Sequence, residues 1–127
     1  MYITIDASDR RPIYQQLVDE IKTIIAAGEL GEGASLPPVR QVAADLGINL
    51  NTVAFAYRQL RDEGLIKVRH GSGAVVSART NSQRDREQLE AKLMPVLTDL
   101  VLAGLTKAEI VALVTAGLNN LQRERPS

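Results

Sequence analysis

Residues 35–77, SLPPVRQVAADLGINLNTVAFAYRQLRDEGLIKVRHGSGAVVS, decide the fold. Apolar residues recur at helical spacing after Pro38 and again after Asn49, whose side chain suits the N-cap of a helix. Gly47 and Gly64 follow these two patterns, and glycine is the residue that most often ends a helix. The stretch therefore predicts two helices joined by a sharp turn.

A glycine-rich hairpin is expected directly after the second of these helices. Two short β-like segments, residues 65–69 and 74–77, flank the sequence HGSG at 70–73. Helix, sharp turn, helix and hairpin follow one another in the order of a winged helix-turn-helix, whose second helix enters the major groove of DNA. We therefore predict a mainly α fold with a small β wing.

The residues before this stretch supply a further helix. Residues 2–5, YITI, favour a short β-like start, and Pro12 lies in the first turn of a helix that should run to about Ala27. The predicted inner faces of the three helices are Ile13, Leu17, Ile21, Ile24 and Ile25; Val39, Val42, Ala43 and Leu46; and Val53, Ala56, Tyr57 and Leu60.

Polar residues divide the chain after the hairpin. Residues 79–83 have the composition of a linker, which separates a winged domain at 1–78 from a two-helix region at 84–127. Pro95 lies within the fourth helical pattern and should kink this helix or delay its start. Gly104 should end the helix, and a capping box, TKAE at 106–109, should begin the next.

Charge does not single out either part of the chain. Residues 1–78 contain 8 basic and 9 acidic side chains, and residues 79–127 contain 7 and 6. Nucleic-acid-binding domains are usually basic. Any DNA binding must therefore depend on where individual charges lie.

Composition excludes several other classes of protein. The chain has no cysteine and a single histidine, which excludes disulfides and thiolate metal sites, and we expect no metal or other cofactor. No apolar run approaches the roughly 18 residues of a membrane span, and the first residues have no apolar core of a signal peptide. We therefore expect a cytoplasmic protein without membrane contact. Polar side chains do not converge as a nucleophile, a base and an orienting group would, so we expect no enzyme.

The outward face of the third helix carries the side chains that suit DNA. Asn, Thr, Arg and Gln can donate and accept hydrogen bonds at base edges and phosphates, and a helix N-terminus favours phosphate. For any single residue the alternative is a solvated helix surface. The outward residues are Asn49, Asn51, Thr52, Ala54, Phe55, Arg58 and Gln59.

These motifs resemble the DNA-binding domain of the GntR family of bacterial regulators, and a short helical tail resembles its YtrA subfamily. The resemblance covers about half of the chain. It rests on PIYQQL at 12–17, GxxLPPVRQVAADLGI at 33–48, NTVxxAYRQL at 51–60 and EGLIxxRHGSGAxV at 63–76.

The resemblance implies a set of contacts with double-stranded DNA. Residues 49–63 would lie in the major groove and the wing tip at 70–73 would approach the minor groove. The implied contact residues are Arg40 near the start of the second helix; Asn49, Asn51 and Thr52 at the start of the third; Tyr57 or Arg58 at a phosphate; and His70, Gly71 and Ser72 in the wing.

Two positions depart from the family pattern. Leu50 and Phe55 stand where a basic residue is common. We predict that Leu50 or Phe55 meets a thymine methyl group or packs on a sugar, so that the operator differs from the family consensus. The alternative is that both side chains lie against protein in a dimer.

The C-terminal helices suit dimerisation, as in the YtrA subfamily. Two amphipathic helices cannot close a core alone, and their apolar faces would form a large exposed patch. Pairing with a second copy would cover that patch and would suit a palindromic operator. The alternative is packing on the winged domain. The expected dimer contacts are Leu93, Leu97, Leu100, Ile110, Leu113, Val114, Leu118 and Leu121.

The sequence thus predicts a homodimeric, DNA-binding transcriptional repressor. An unidentified small-molecule effector stays open, since no charged cluster in the tail specifies a ligand class. The alternative function is a winged helix that contacts proteins or acts as a scaffold without specific DNA binding.

Overall fold

The computed structural model describes residues 3–69, 73–77 and 83–123, the last range with the side chains of 83, 84, 122 and 123 excepted. The chain forms two compact units, one built mainly on residues 1–79 and the other on residues 80–122. The predicted wing tip, His70, Gly71 and Ser72, lies outside the described residues, as does most of the predicted linker at 79–83.

The described part of the first unit contains three helices and one antiparallel sheet. Its elements are α1 (Ile13–Ala26), β1 (Ser35–Leu36), α2 (Val39–Leu46), α3 (Leu50–Asp62), β2 (Ile66–Arg69) and β3 (Gly73–Val76). The strand order is β1-β3-β2, so the predicted hairpin is confirmed and β1 is an additional strand.

Gly47 and Asn49 define the turn between α2 and α3. Gly47 ends α2 with a φ of 66°, in the left-handed region that glycine enters without steric cost. The Asn49 side-chain oxygen accepts a hydrogen bond from the Asn51 amide at 2.7 Å, which confirms the predicted N-cap of α3. The start of α3 is thus fixed within three residues of the end of α2.

The core of the first unit lies between the three helices and the sheet. The predicted inner face of α3 is confirmed, since all four of its residues are buried. Ile13 is an exception to the prediction for α1, because it begins the helix, where it remains 43% exposed. The largest fully buried side chains are Leu17, Val18, Ile21, Val53, Leu60 and Ile66.

A buried glutamine, and not a strand, holds the N-terminal segment. Ile3 and Ile5 do pack against the core, but the described residues of the predicted β-like start form no strand. Gln16, only 3% exposed, accepts from the Asp6 amide at 2.9 Å. Its side-chain amide donates to the carbonyl oxygens of Asp6 and Arg11, each at 3.1 Å.

The second unit consists of α4 (Gln83–Leu102) and α5 (Lys107–Arg123). Helix α4 continues through Pro95, so of the two predicted effects of this proline, a kink or a delayed start, the delayed start is excluded. Gly104, with a φ of 94°, follows its end as expected. The capping box of α5 is confirmed, because the Thr106 hydroxyl accepts from the Glu109 amide at 3.2 Å while the Glu109 carboxylate accepts from the Thr106 amide at 3.2 Å.

Candidate nucleic-acid interface

Helix α3 separates a buried face from an outward face that carries four of the predicted contact residues. Its buried side contacts α1, α2 and β2. Leu50, Asn51, Phe55 and Arg58 are exposed on the other side. The packing of α3 therefore leaves this face open to solvent at a fixed orientation.

The first turn of α3 offers different groups at each position. Asn51 is exposed, whereas Thr52 is half-buried. The Asn49 side-chain oxygen is occupied by the N-cap bond, and its side-chain NH₂ is left as a donor. Asn49 therefore both fixes the helix and presents a donor at its N-terminus.

Tyr57 does not fit the expected phosphate contact. Its ring is buried, and its hydroxyl donates to the Pro37 carbonyl oxygen at 2.6 Å. Burial raises the pKa of Tyr57 to about 12. This hydrogen bond ties α3 to the residues before α2, so Tyr57 positions the interface, and Arg58 is left as the phosphate candidate.

The start of α2 presents a second cationic position. Arg40 is exposed in the first turn and forms no ion pair with any described side chain. Pro38 is the N-cap, and no side chain caps the first amides of α2. A helix N-terminus with open amides and a nearby arginine favours an anion.

Two cationic side chains on the wing were not predicted from the sequence. Lys67 and Arg69 are exposed on β2, where they lie opposite Val75 and Gly73. Alternate residues of a strand share a face, and the other face of β2 begins with the buried Ile66. The alternation of charged and apolar residues in IKVR was the signal that could have identified them.

An aromatic and cationic cluster surrounds Phe55. The ring of Tyr14, in α1, lies 4.7 Å from the Phe55 ring at an interplanar angle of 84°. The Arg58 guanidinium carbon lies 5.8 Å from the centroid of the Phe55 ring. Phe55 is still 43% exposed, so the cluster forms part of the outward surface.

Ion pairs among the described residues involve four acidic side chains of the first unit, namely Asp9, Asp19, Asp62 and Glu63. Arg11 bonds to both Asp9 and Asp19, and its hydrogen bonds hold the pKa of Asp9 below its usual value. Lys22 pairs with Glu63 at 2.7 Å. Arg58, like Arg40 and the two wing cations, forms no ion pair with the described side chains. A zero net charge thus coexists with unpaired cations.

Metal-ligand groups and membrane spans are both absent from the described residues. They contain no group of three or more His, Cys, Asp or Glu side chains arranged to hold a metal ion. Among the helices they form, none combines the length and the apolar character that crossing a bilayer requires.

The predicted dimer residues lie on helices in which no described side chain is fully buried. No described side chain of residues 85–121 is buried, and few Cα atoms of α4 and α5 come close to one another. The half-exposed members of the predicted set are Leu97, Leu100, Ile110 and Leu121, and the exposed members are Leu93, Leu113, Val114 and Leu118.

Residues 13–76 match the sequence model of a protein family, the bacterial regulatory proteins of the gntR family. The chain is also 37% identical over 75 residues to the transcriptional repressor YtrA of Bacillus subtilis (strain 168). This match covers 59% of the chain and 58% of that repressor, so the chain spans less than two thirds of the relative's length.

Two solved structures resemble the chain as well. A transcriptional antiterminator from Listeria monocytogenes EGD-e is 30% identical, with a TM-score of 0.87 over 96% of this chain and 93% of its own. YtrA from Sulfolobus acidocaldarius, a GntR-family transcription factor, is 38% identical, with a TM-score of 0.64 over 76% of this chain and 97% of its own.

Proposed function

This chain belongs to the GntR family of bacterial regulatory proteins, and we propose that it represses transcription by binding a palindromic DNA operator as a homodimer. The outward face of α3 carries the proposal. It presents Asn51, Phe55 and Arg58 to solvent while the opposite face is locked in the core. The α3 residues would enter the major groove, and the wing would approach the minor groove.

The proposed contacts divide into base contacts and phosphate contacts. Asn51 and Thr52, at the N-terminal end of α3, would meet base edges, which carry sequence information. Arg40 and Arg58 would bind phosphates on the flanks of the groove, and Lys67 and Arg69 would do so from the wing. His70, Gly71 and Ser72 remain predicted contacts of the wing tip.

A homodimer is proposed because α4 and α5 leave their apolar side chains exposed. Leu93 is 50% exposed and Leu118 is 53% exposed in the single chain. Burying apolar surface gains roughly 25 cal/mol per Å², and a two-fold axis lets each copy cover the same patch on the other. The repressor YtrA, by its name, supports repression as the outcome of binding.

A binding assay tests the proposal. A mobility shift with duplex DNA from upstream of the gene should show specific binding that persists at roughly 0.15 M salt. Asn51→Ala should weaken it by about 1–3 kcal/mol. Glu20→Ala, an exposed change on α1, should bind as the wild type does.

Two results would contradict the proposal. Absence of binding at every salt concentration would favour the alternative function, a winged helix that contacts proteins. One observation supports that alternative: Leu50, an apolar side chain on the outward face of α3, is 38% exposed. Wild-type affinity in Asn51→Ala would show that α3 is not the recognition helix.

A further inference from the structure

Arg58 and Phe55 share one stripe of α3 with Asn51. Residues 51, 55 and 58 are spaced four and three apart, which places them on the same side of a helix. At about 1.5 Å per residue, Arg58 lies about 10 Å along the axis from Asn51. A helix that puts Asn51 against bases would therefore bring Arg58 near the flanking backbone.

The Arg58 guanidinium contacts the Phe55 ring and forms no ion pair with the described side chains. The separation of 5.8 Å between the guanidinium carbon and the ring centroid lies within the range of cation–π attraction. An ion pair would neutralise the charge and occupy N–H donors. Stacking on a ring leaves the charge and all five N–H donors of the guanidinium available to a phosphate.

Tyr14 packs against the Phe55 ring, which in turn contacts Arg58. Its own ring is nearly perpendicular to that of Phe55 at 4.7 Å, the edge-to-face geometry that aromatic pairs prefer. Tyr14 belongs to α1, so the contact connects the outward face of α3 to a second helix of the core. The Phe55 ring is thus in contact with Tyr14 of α1 and with Arg58 of its own helix.

We propose that Phe55 is a positioning residue that orients the Arg58 guanidinium toward a DNA backbone phosphate, and that it does not read a base. The proposal rests on the proposed function and replaces the expectation that Phe55 meets a thymine methyl group. Orienting the side chain before binding lowers the conformational entropy that Arg58 loses in the complex.

A double-mutant cycle on operator binding tests this role. Arg58→Ala should weaken binding about tenfold or more, because it removes a charge-assisted hydrogen bond. It should also lower the slope of log affinity against log salt by about 1 for each bound protomer. Phe55→Leu should weaken binding about two- to fivefold with an unchanged slope, because the charge remains.

The decisive result is the behaviour of the double variant. Phe55→Leu should have no further effect in the Arg58→Ala background, since it acts only through Arg58. Phe55→Tyr keeps the ring and should restore wild-type affinity. Leu50→Ala, at another exposed apolar position of α3, is the matched control, and its effect should add to that of Arg58→Ala. Thermal melts should show that each variant is folded.

Other outcomes overturn the proposal in distinguishable ways. Additive effects of Phe55→Leu and Arg58→Ala, together with a changed base preference at one operator position, would show that Phe55 reads a base. That result would leave the proposed function intact. A wild type that binds no duplex would overturn the proposed function and this inference with it.

Discussion

The two units of the chain differ in how far their apolar side chains are buried. The first unit closes a core in which Leu17, Ile21, Val53 and Leu60 are inaccessible to solvent. In the second unit no described side chain of residues 85–121 is buried, and Leu89 is 64% exposed. The first unit therefore contains the means of its own stability, whereas the second has an apolar surface suited to a partner.

The largest expected effect comes from a cavity in the closed core. Leu60→Ala should lower the free energy of unfolding by about 4 kcal/mol, because it removes buried methyl groups from a packed site. Urea denaturation followed by circular dichroism measures this loss. Leu89→Ala in α4 is the matched control and should change stability by less than about 1 kcal/mol. Equal losses would show that the two units do not differ as described.

A charge on the apolar face of the second unit should separate the protomers. Leu97→Asp would place an unpaired carboxylate in the proposed dimer interface and should raise the dimer dissociation constant about a hundredfold or more. Sedimentation velocity gives the oligomeric state. Lys92→Asp, at an exposed polar position of α4, should remain dimeric. A Leu97→Asp protein that still sediments as a dimer would contradict the assignment of this face.

The buried glutamine tests how the closed unit holds its N-terminal segment. Gln16→Leu would leave the Asp6 amide and two carbonyl oxygens without their partner and should cost about 2 kcal/mol of unfolding free energy. Gln15→Leu is the neighbouring control, because the Gln15 side chain donates to the Asp19 carboxylate, which Arg11 also contacts. A Gln16→Leu protein as stable as the control would show that the segment is held by its apolar contacts alone.

The smallest effect concerns the hydroxyl that joins α3 to the start of α2. Tyr57→Phe should lower stability by about 1 kcal/mol at neutral pH, because the Pro37 carbonyl loses its donor. The pKa of Tyr57 is raised to about 12 from the usual 10.0, so folding favours the neutral phenol. The wild type should therefore lose stability as the pH rises from about 10 through 12.

The difference in stability between the wild type and Tyr57→Phe isolates the contribution of the Tyr57 hydroxyl. Denaturation at a series of alkaline pH values should show the advantage of the wild type over Tyr57→Phe shrinking above a pH of about 10. A constant difference across that range would show that Tyr57 is not held neutral by the fold.

Local signals predicted the elements of the first unit, and long-range pairings were missed. The Gly47 turn and the Asn49 cap depend on residues a few positions apart, so the sequence reveals them. Strand β1 has two residues and exists because Ser35 pairs with Val75, forty positions later. No local pattern distinguishes so short a strand from a loop.

At the candidate interface, too, the local features were predicted from the sequence and the long-range contacts were not. The helical periodicity of the sequence identified the outward face of α3. The contacts that define the roles of its side chains involve residues distant in sequence. Tyr57 bonds to Pro37, twenty positions away, and Phe55 contacts Tyr14 of α1. The sequence predicted Tyr57 or Arg58 at a phosphate and Leu50 or Phe55 at a thymine methyl group or a sugar. It could not reveal the contacts that Tyr57 and Phe55 make within the protein.

Footprinting of a duplex selected from a random library by the full chain tests the central claim most directly. We expect two protected half-sites related by a two-fold axis, with centres about one helical turn of DNA or more apart. At equal protein concentration, Asn51→Ala should protect both half-sites more weakly, and Glu20→Ala should protect them as the wild type does. A single asymmetric protected patch, or uniform protection without a selected sequence, would contradict the account of a dimer that binds a palindrome through α3.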